Sequence, residues 1–294
     1  MAAGSGSRYG KLKQFDELGP KEEFLMEFSI YDALKNGFDH IVVITKAANQ
    51  EFLQDYLSER LPAYVKLDVL VQDINDLPSG IRLETERVKP WGTAHAVWTA
   101  RNVIDSAFII INADDYYGQP AYQAASKFIE QNKEKGSYAI IGYNLSDTLS
   151  KHGTVSRGVC SADQGKLTSI EELMKIHEID GVIVDEDSGK ILDPNTVVSM
   201  NFWICNPSIF NYIESYFKNF LKDPANIEKS EIYIPFVAHE MMANGLIDIQ
   251  VISANSDWFG VTYYDDKVNA VNSLSGLTKK GQYPCPLWNK SSDV

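Results

Sequence analysis

The chain opens on a run of small residues, Ala2-Ala3-Gly4-Ser5-Gly6-Ser7, that leads straight into Arg8, and Lys13 follows five positions later. Glycine has no Cβ and tolerates positive φ, so a turn of this kind lets backbone N–H groups close on a polyphosphate. Arg8 and Lys13 would add fixed positive charge at the same place. A second pair, Asp114-Asp115, stands just past the most apolar stretch of the chain, 108–112 (FIIIN). A carboxylate at the carboxyl end of a buried strand, facing a phosphate loop, suits a magnesium ion. The third feature is Pro90-Trp91-Gly92-Thr93-Ala94, a small-residue turn running into a helix. Such a turn packs flat against a nucleobase and reads its edge through backbone groups. Each feature also has a plain reading, as a connector, a turn after a strand and a strand-to-helix corner.

These residues need elements to hold them. The first half alternates helix and strand. Helical spacing covers 27–35 and stops at Asn36-Gly37; 40–45 (HIVVIT) reads as a buried parallel strand. A helix is expected over 49–60, a strand over 64–72, a helix over 93–104, a strand over 108–112, a helix over 120–134 and a strand over 138–145. This rhythm predicts a mostly parallel central sheet with helices on both faces, and ligands beyond the carboxyl ends of its strands. The second half differs. Segments 154–160, 166–171 and 181–191 read as short antiparallel strands, a small β insertion joined by polar turns. Then come a strand over 197–205, helices over 208–221 and 231–243, a strand over 247–253 and a helix over 266–277. With no compositional break, the reading is one domain over 1–294, a nucleotide-binding half (1–145) and an acceptor-binding half (146–294).

The chain has 294 residues, a net charge of −13, 44% apolar and 23% charged residues. The acidic balance argues against nucleic acid or an anionic membrane as a partner. No stretch has the length of a membrane span and no signal peptide is visible, which gives a cytoplasmic expectation. Cys160, Cys205 and Cys285 fit no metal spacing and read as reduced structural thiols. His95 and His152 lack partners at ligand or triad spacing and read as structural or substrate-contacting. Phe210, Tyr212, Tyr216, Phe217 and Phe220 read as a core or subunit-facing stripe, which allows a homo-oligomer.

Taken together and in this order, the glycine loop with Arg8 and Lys13, Gly92-Thr93-Ala94 and Asp114 resemble the sugar-1-phosphate nucleotidylyltransferases, or NDP-sugar pyrophosphorylases. The resemblance covers most of the chain and implies a three-layer α/β/α Rossmann-like nucleotidyltransferase fold. It implies that an NTP and a sugar-1-phosphate give an NDP-sugar and pyrophosphate with Mg²⁺. It assigns Arg8 to the leaving phosphates, Lys13 to the reacting phosphates and Asp114 to the metal. Gln72 looks like the family's base-reading glutamine. Gly153-Thr154-Val155 and Met200-Asn201 look like its sugar-binding segments, and Glu172 and Lys175 like its Glu and Lys beneath the sugar phosphate.

Three departures stand out. The loop from Arg8 to Lys13 is short and lacks the family's proline, which makes Lys11 a rival for the lysine role. The segment Trp258-Phe259-Gly260-Val261-Thr262 holds no internal Asp, so the second metal ligand falls to Asp257, with Asp265 and Asp266 just beyond. The strand that normally precedes such a loop does not precede this one, and the reading expects the natural chain to begin upstream of Met1. Two rivals follow: a cytidylyltransferase for phosphocholine or another small phosphate, with Trp203 or Trp258 in an aromatic box, and a catalytically silent nucleotide-binding regulatory domain.

Overall fold

The computed structural model describes residues 1–4, 13–83, 87–133, 137–261 and 263–288, with Lys13 described for its backbone alone. In the first half, α1 (Leu25–Lys35), β1 (His40–Thr45), α2 (Gln50–Ser58), β2 (Lys66–Val71), α3 (Thr93–Trp98) and β3 (Phe108–Ile110) follow the expected rhythm. Then come β4 (Asp115–Tyr116), α4 (Gln119–Gln131) and β5 (Ser137–Asn144). The second half contains β6 (Val155–Asp163), β7 (Lys166–Ile179), β8 (Val182–Asp185), β9 (Ile191–Leu192) and β10 (Val197–Cys205). It closes with α5 (Ser208–Phe220), α6 (Ala225–Lys229), α7 (Ile234–Ala243), β11 (Asp248–Ser253), β12 (Phe259–Gly260) and α8 (Asp266–Lys279).

β5 shows why this is a three-layer α/β/α structure. Its side chains alternate between two faces, as strand geometry requires. Tyr138 and Ile140 enter a core shared with α3, α5 and α7. Ala139, Ile141 and Tyr143 enter a second core shared with α4. The aromatic stripe of α5 belongs to the first core, where the Phe217 ring lies 5.1 Å from that of Trp91 and 5.5 Å from that of His95. The core reading of that stripe holds for the buried Phe210 and Phe217.

The parallel pairs are β1 with β2 and β5 with β11. β10 runs antiparallel between β3 and β5 and continues the sheet into the β6–β9 meander. The insertion differs in detail from the expected strands. Asp180 and Gly181 both take positive φ (51° and 80°), the combination of a two-residue hairpin turn, so β7 extends to Ile179 to pair with β8. The expected strand 181–191 is then split by the Asp185–Lys190 turn, where Gly189 N–H reaches the Asp185 carbonyl. The helix expected over 231–243 begins only at Ile234, because residues 231–233 run extended against the Gly92 turn.

Between β1 and β3 lies the start of the chain. Met1 ammonium donates to the Ile111 carbonyl at 2.7 Å, and Ala113 N–H returns to the Met1 carbonyl at 3.0 Å. On the other side Ala2 N–H donates to the Ile44 carbonyl at 2.7 Å. Met1 and Ala2 thus bridge the β1–β2 pair to the rest of the sheet.

Candidate functional site

Three of the sequence features meet at the carboxyl ends of neighbouring strands. Ala2 is fastened beside the end of β1. Gln72 follows β2 directly, its N–H held by the Thr45 carbonyl at 2.9 Å. Asp114 follows β3, next to the chain start. Gln14 fixes the opening segment from outside: its amide Nε2 donates to the carbonyls of Ala2 at 3.0 Å and Gly4 at 3.3 Å. Ser5, Gly6, Ser7, Arg8 and Lys11 lie outside the described residues. Lys13 starts a single 3-10 turn, Lys13–Phe15.

The 92–94 turn is the most firmly built part. Gly92 has φ 96°, and a Cβ there would lie 2.5 Å from the Ile232 carbonyl oxygen, so glycine is required on both counts. Ala94 N–H donates to Ile232 O at 3.1 Å, Ile232 N–H to Trp91 O at 2.7 Å, and Ile234 N–H to the Thr93 hydroxyl at 3.2 Å. Arg87 stacks on Trp91, its guanidinium carbon 3.6 Å from the ring centre, and donates to the carbonyls of Ile227 and Ser230. The turn is therefore a clamp between two distant segments. The 231–234 partner carries no local sign of this task, since it contributes backbone groups rather than a motif.

Gln72 is aimed by the same turn. Its Nε2 donates to the Gly92 carbonyl at 3.0 Å and faces His95 Nδ1 at 3.3 Å. His95 is fully buried, and its Nε2 lies 2.9 Å from the Asp76 carbonyl, to which it must donate. Burial lowers its pKa, so the ring is neutral and Nδ1 accepts. His95 is thus structural, and it shares the Gln72 amide nitrogen with the Gly92 carbonyl.

On the Asp114 side, the following corner is tied down through Tyr117. Its buried hydroxyl accepts Asn112 N–H at 3.1 Å and donates to the Met200 carbonyl at 2.8 Å. The Asp115 carboxylate takes Asn112 Nδ2 at 2.9 Å, and Asp115 pairs with Gly260 across β4 and β12. Asp114 itself is partly exposed. The Tyr117 bond also anchors the β10 bulge that carries Asn201 at φ 61°. A left-handed asparagine inside a strand is uncommon and points to a positioned side chain.

The remaining predicted residues are spread more widely. Gly153 lies under Tyr263: a Cβ would come within 2.7 Å of the phenol oxygen, which donates to Thr154 O at 2.7 Å. Glu172 sits on β7 opposite Gly158, whose missing side chain leaves room for its carboxylate. Desolvation raises the Glu172 pKa, and Arg157 opposes that shift. Lys175 is turned to the neighbouring hairpin, its ammonium 2.7 Å from Asp187. Asp257 lines a separate cavity of about 790 Å³ with Tyr116, Asp147 and Lys280. Among the described residues no three His, Cys, Asp or Glu side chains are grouped to hold a metal ion.

Trp203 is buried and Trp258 is nearly so, with Arg157 5.0 Å from its ring centre, so neither offers the open face of an aromatic box. Cys160 and Cys205 are buried free thiols and Cys285 an exposed one. No helix among the described residues is long and apolar enough to cross a membrane.

The sheet is covered by helices on both faces, and Ala2, the Gly92 turn and Asp114 stand near the ends of its strands. A model of the Nucleotidyl transferase family matches residues 1–261, and the chain belongs to that family. No curated protein sequence matches it. Among solved structures it is similar to the inositol-1-phosphate CTP transferase of T. maritima, with TM-score 0.61, 14% identity and 93% of each chain covered. It is also similar to a putative glucose-1-phosphate thymidylyltransferase from Bacillus anthracis, in complex with a sucrose, with TM-score 0.60 and 16% identity, covering 93% of this chain and 92% of that one. At these identities the likeness establishes the Rossmann-like fold.

Proposed function

We propose that the protein transfers a nucleotidyl group from an NTP to a sugar-1-phosphate, releasing pyrophosphate. The observation that carries this reading is the convergence of Ala2–Gly4, Gln72 with the Gly92 turn, and Asp114 at the carboxyl ends of β1, β2 and β3. A phosphate oxygen of the acceptor attacks the α-phosphorus; the bond from that phosphorus to the β-phosphate bridging oxygen breaks, and pyrophosphate leaves. The acceptor phosphate is already anionic near neutral pH, so no general base is needed. Catalysis is then positioning and charge neutralisation.

In this reading Arg8 holds the departing phosphates and Lys13 the reacting ones. The backbone of Ala2, Ala3, Gly4, Ser5, Gly6 and Ser7 cradles the triphosphate. Gly92, Thr93 and Ala94 take the base against the backbone, and Gln72 offers it a carboxamide oxygen that accepts an N–H. Gly153, Glu172, Lys175 and Asn201 belong to the acceptor side; Lys175 would have to leave Asp187 to reach a phosphate. Asp114, with Asp257 as a second candidate, would hold Mg²⁺, which when bound neutralises phosphate charge. We place the reaction in the cytoplasm, in nucleotide-sugar synthesis.

The test is a panel of the common NTPs against sugar-1-phosphates and phosphocholine, read as pyrophosphate release. Release that requires one NTP and a sugar-1-phosphate supports the reading. Release with phosphocholine alone would move the acceptor. Magnesium-dependent NTP binding without release on any acceptor would make the protein a silent nucleotide-binding domain.

A further inference from the structure

Two glycines near the candidate site are matched to side chains rather than to empty space. A Cβ on Gly260 would run into the Asp115 carboxylate. A Cβ on Gly153 would lie 2.7 Å from the Tyr263 phenol oxygen and 2.8 Å from the ring carbon that bears it. Both pairs involve neighbouring parts of the chain. Phe259 and Gly260 form β12, which pairs with Tyr116 and Asp115 of β4, and the Phe259 and Tyr116 rings stack with centres 4.4 Å apart. Val261 is buried behind them. Tyr263 reaches a different segment, residues 150–154. Its hydroxyl donates to the Thr154 carbonyl at 2.7 Å, and its N–H donates to the Asp266 carboxylate at 2.7 Å. Asp266, buried at the start of α8, also accepts the Ser150 hydroxyl at 3.2 Å and lies 3.9 Å from His152 Nε2. Ser150 bridges Gly153 and takes the His152 N–H at 3.1 Å. Phe259 and Gly260 thus grip the Asp115 corner, and Tyr263 and Asp266 grip the Gly153 loop.

We infer that Tyr263 is a positioning residue for the acceptor: its phenol fixes the Gly153–Thr154 backbone relative to the Asp114-Asp115 corner, and Gly153 lacks a side chain to admit that phenol. This rests on the proposed placement of Gly153 on the acceptor side. In-line attack depends on where the acceptor phosphate stands, and a misplacement of about 1 Å costs on the order of 10²-fold in rate. A glycine kept for close approach of a ligand would respond to an added Cβ whatever stands at position 263. A glycine kept for the phenol responds only while the phenol is there. A double-mutant cycle separates the two roles.

The experiment measures pyrophosphate release by the full chain, with the NTP and sugar-1-phosphate that support turnover. The proteins are wild type, Tyr263→Phe, Tyr263→Ala, Gly153→Ala and Gly153→Ala with Tyr263→Ala; Tyr263→Leu replaces Tyr263→Ala if the alanine variant does not fold. Amide exchange without substrates is followed in parallel. Tyr263→Phe loses one hydrogen bond and keeps the ring, so the acceptor KM should rise about three- to tenfold while the NTP KM stays unchanged. Exchange should quicken within 150–154 and not within 92–94. Gly153→Ala should raise the acceptor KM at least about tenfold, but by less than about twofold when the phenol is already gone. Equal acceptor KM in all variants, the same Gly153→Ala penalty with and without the phenol, or an equal rise in NTP KM would overturn this inference and leave the proposed function standing. No release by wild type on any acceptor would overturn that function, and this inference with it.

Discussion

β5 and β1 are built from similar residues, SYAIIGYN and HIVVIT, yet they live in different surroundings. β5 is hydrogen-bonded on both edges, by β10 and β11, and is buried from Tyr138 to Tyr143. Among the described residues β1 pairs with β2 along one edge and is met by Ala2 at Ile44 on the other, and its first three residues are partly exposed. β3 is half-buried in the same way. Apolar sequence thus makes a strand in both places, but a neighbour on each side is what turns a strand into core. The candidate site inherits this asymmetry. The Gly92 turn rests on fully packed structure, whereas the chain start is held by backbone bonds to Ile44 and Ile111 and by Gln14.

The largest effect is expected at the rigid Gly92 turn. Gly92→Ala places a Cβ against the Ile232 carbonyl and demands a left-handed alanine. We expect a loss of about 3–5 kcal/mol in denaturant unfolding, together with a raised KM for NTP. Next comes a matched pair. Ile140→Ala in β5 should cost about 3–4 kcal/mol, because the residue is fully buried between layers. Ile109→Ala in β3 should cost about 1 kcal/mol, since the residue is only partly buried. Equal losses in the two variants would refute the difference drawn between the strands.

A smaller effect concerns α1. Tyr283 donates to Asp32 at 2.7 Å, and burial raises the Asp32 pKa to about 7 from an ordinary 3.8. The folded state therefore binds more protons than the unfolded one between about pH 4 and 7. Stability should fall as pH rises through that window and level off above it. Asp32→Asn should remove this part of the slope and leave the protein more stable than wild type at pH 8, as read from melting temperatures across pH.

Much of the fold is visible in the sequence because period and punctuation agree with packing. HIVVIT, VVSMNFWIC and Asn36-Gly37 mark their elements within a residue or two. α6 escapes such reading, being a single short turn after Pro224 with no buried residue. The geometry of the candidate site is legible where one local turn sets it, as at Gly92-Thr93-Ala94. It is not legible where backbone from a distant segment holds the motif, as Ile232 does, or where a hydroxyl links two corners, as Tyr117 does between Asn112 and Met200. Lys175 shows a further limit: the family resemblance sets it with Glu172 beneath the sugar phosphate, but its ammonium lies against Asp187 of the neighbouring hairpin.

The central claim is that the chain start and Asp114 form a centre for nucleotidyl transfer. The most direct measurement is pyrophosphate release from NTP and sugar-1-phosphate by wild type, Arg8→Ala and Asp114→Ala, with unfolding midpoints recorded in parallel. The account predicts release that needs both substrates, and a fall of about 10²–10³-fold in each variant with the midpoint unchanged. Near-normal turnover in either variant would contradict it.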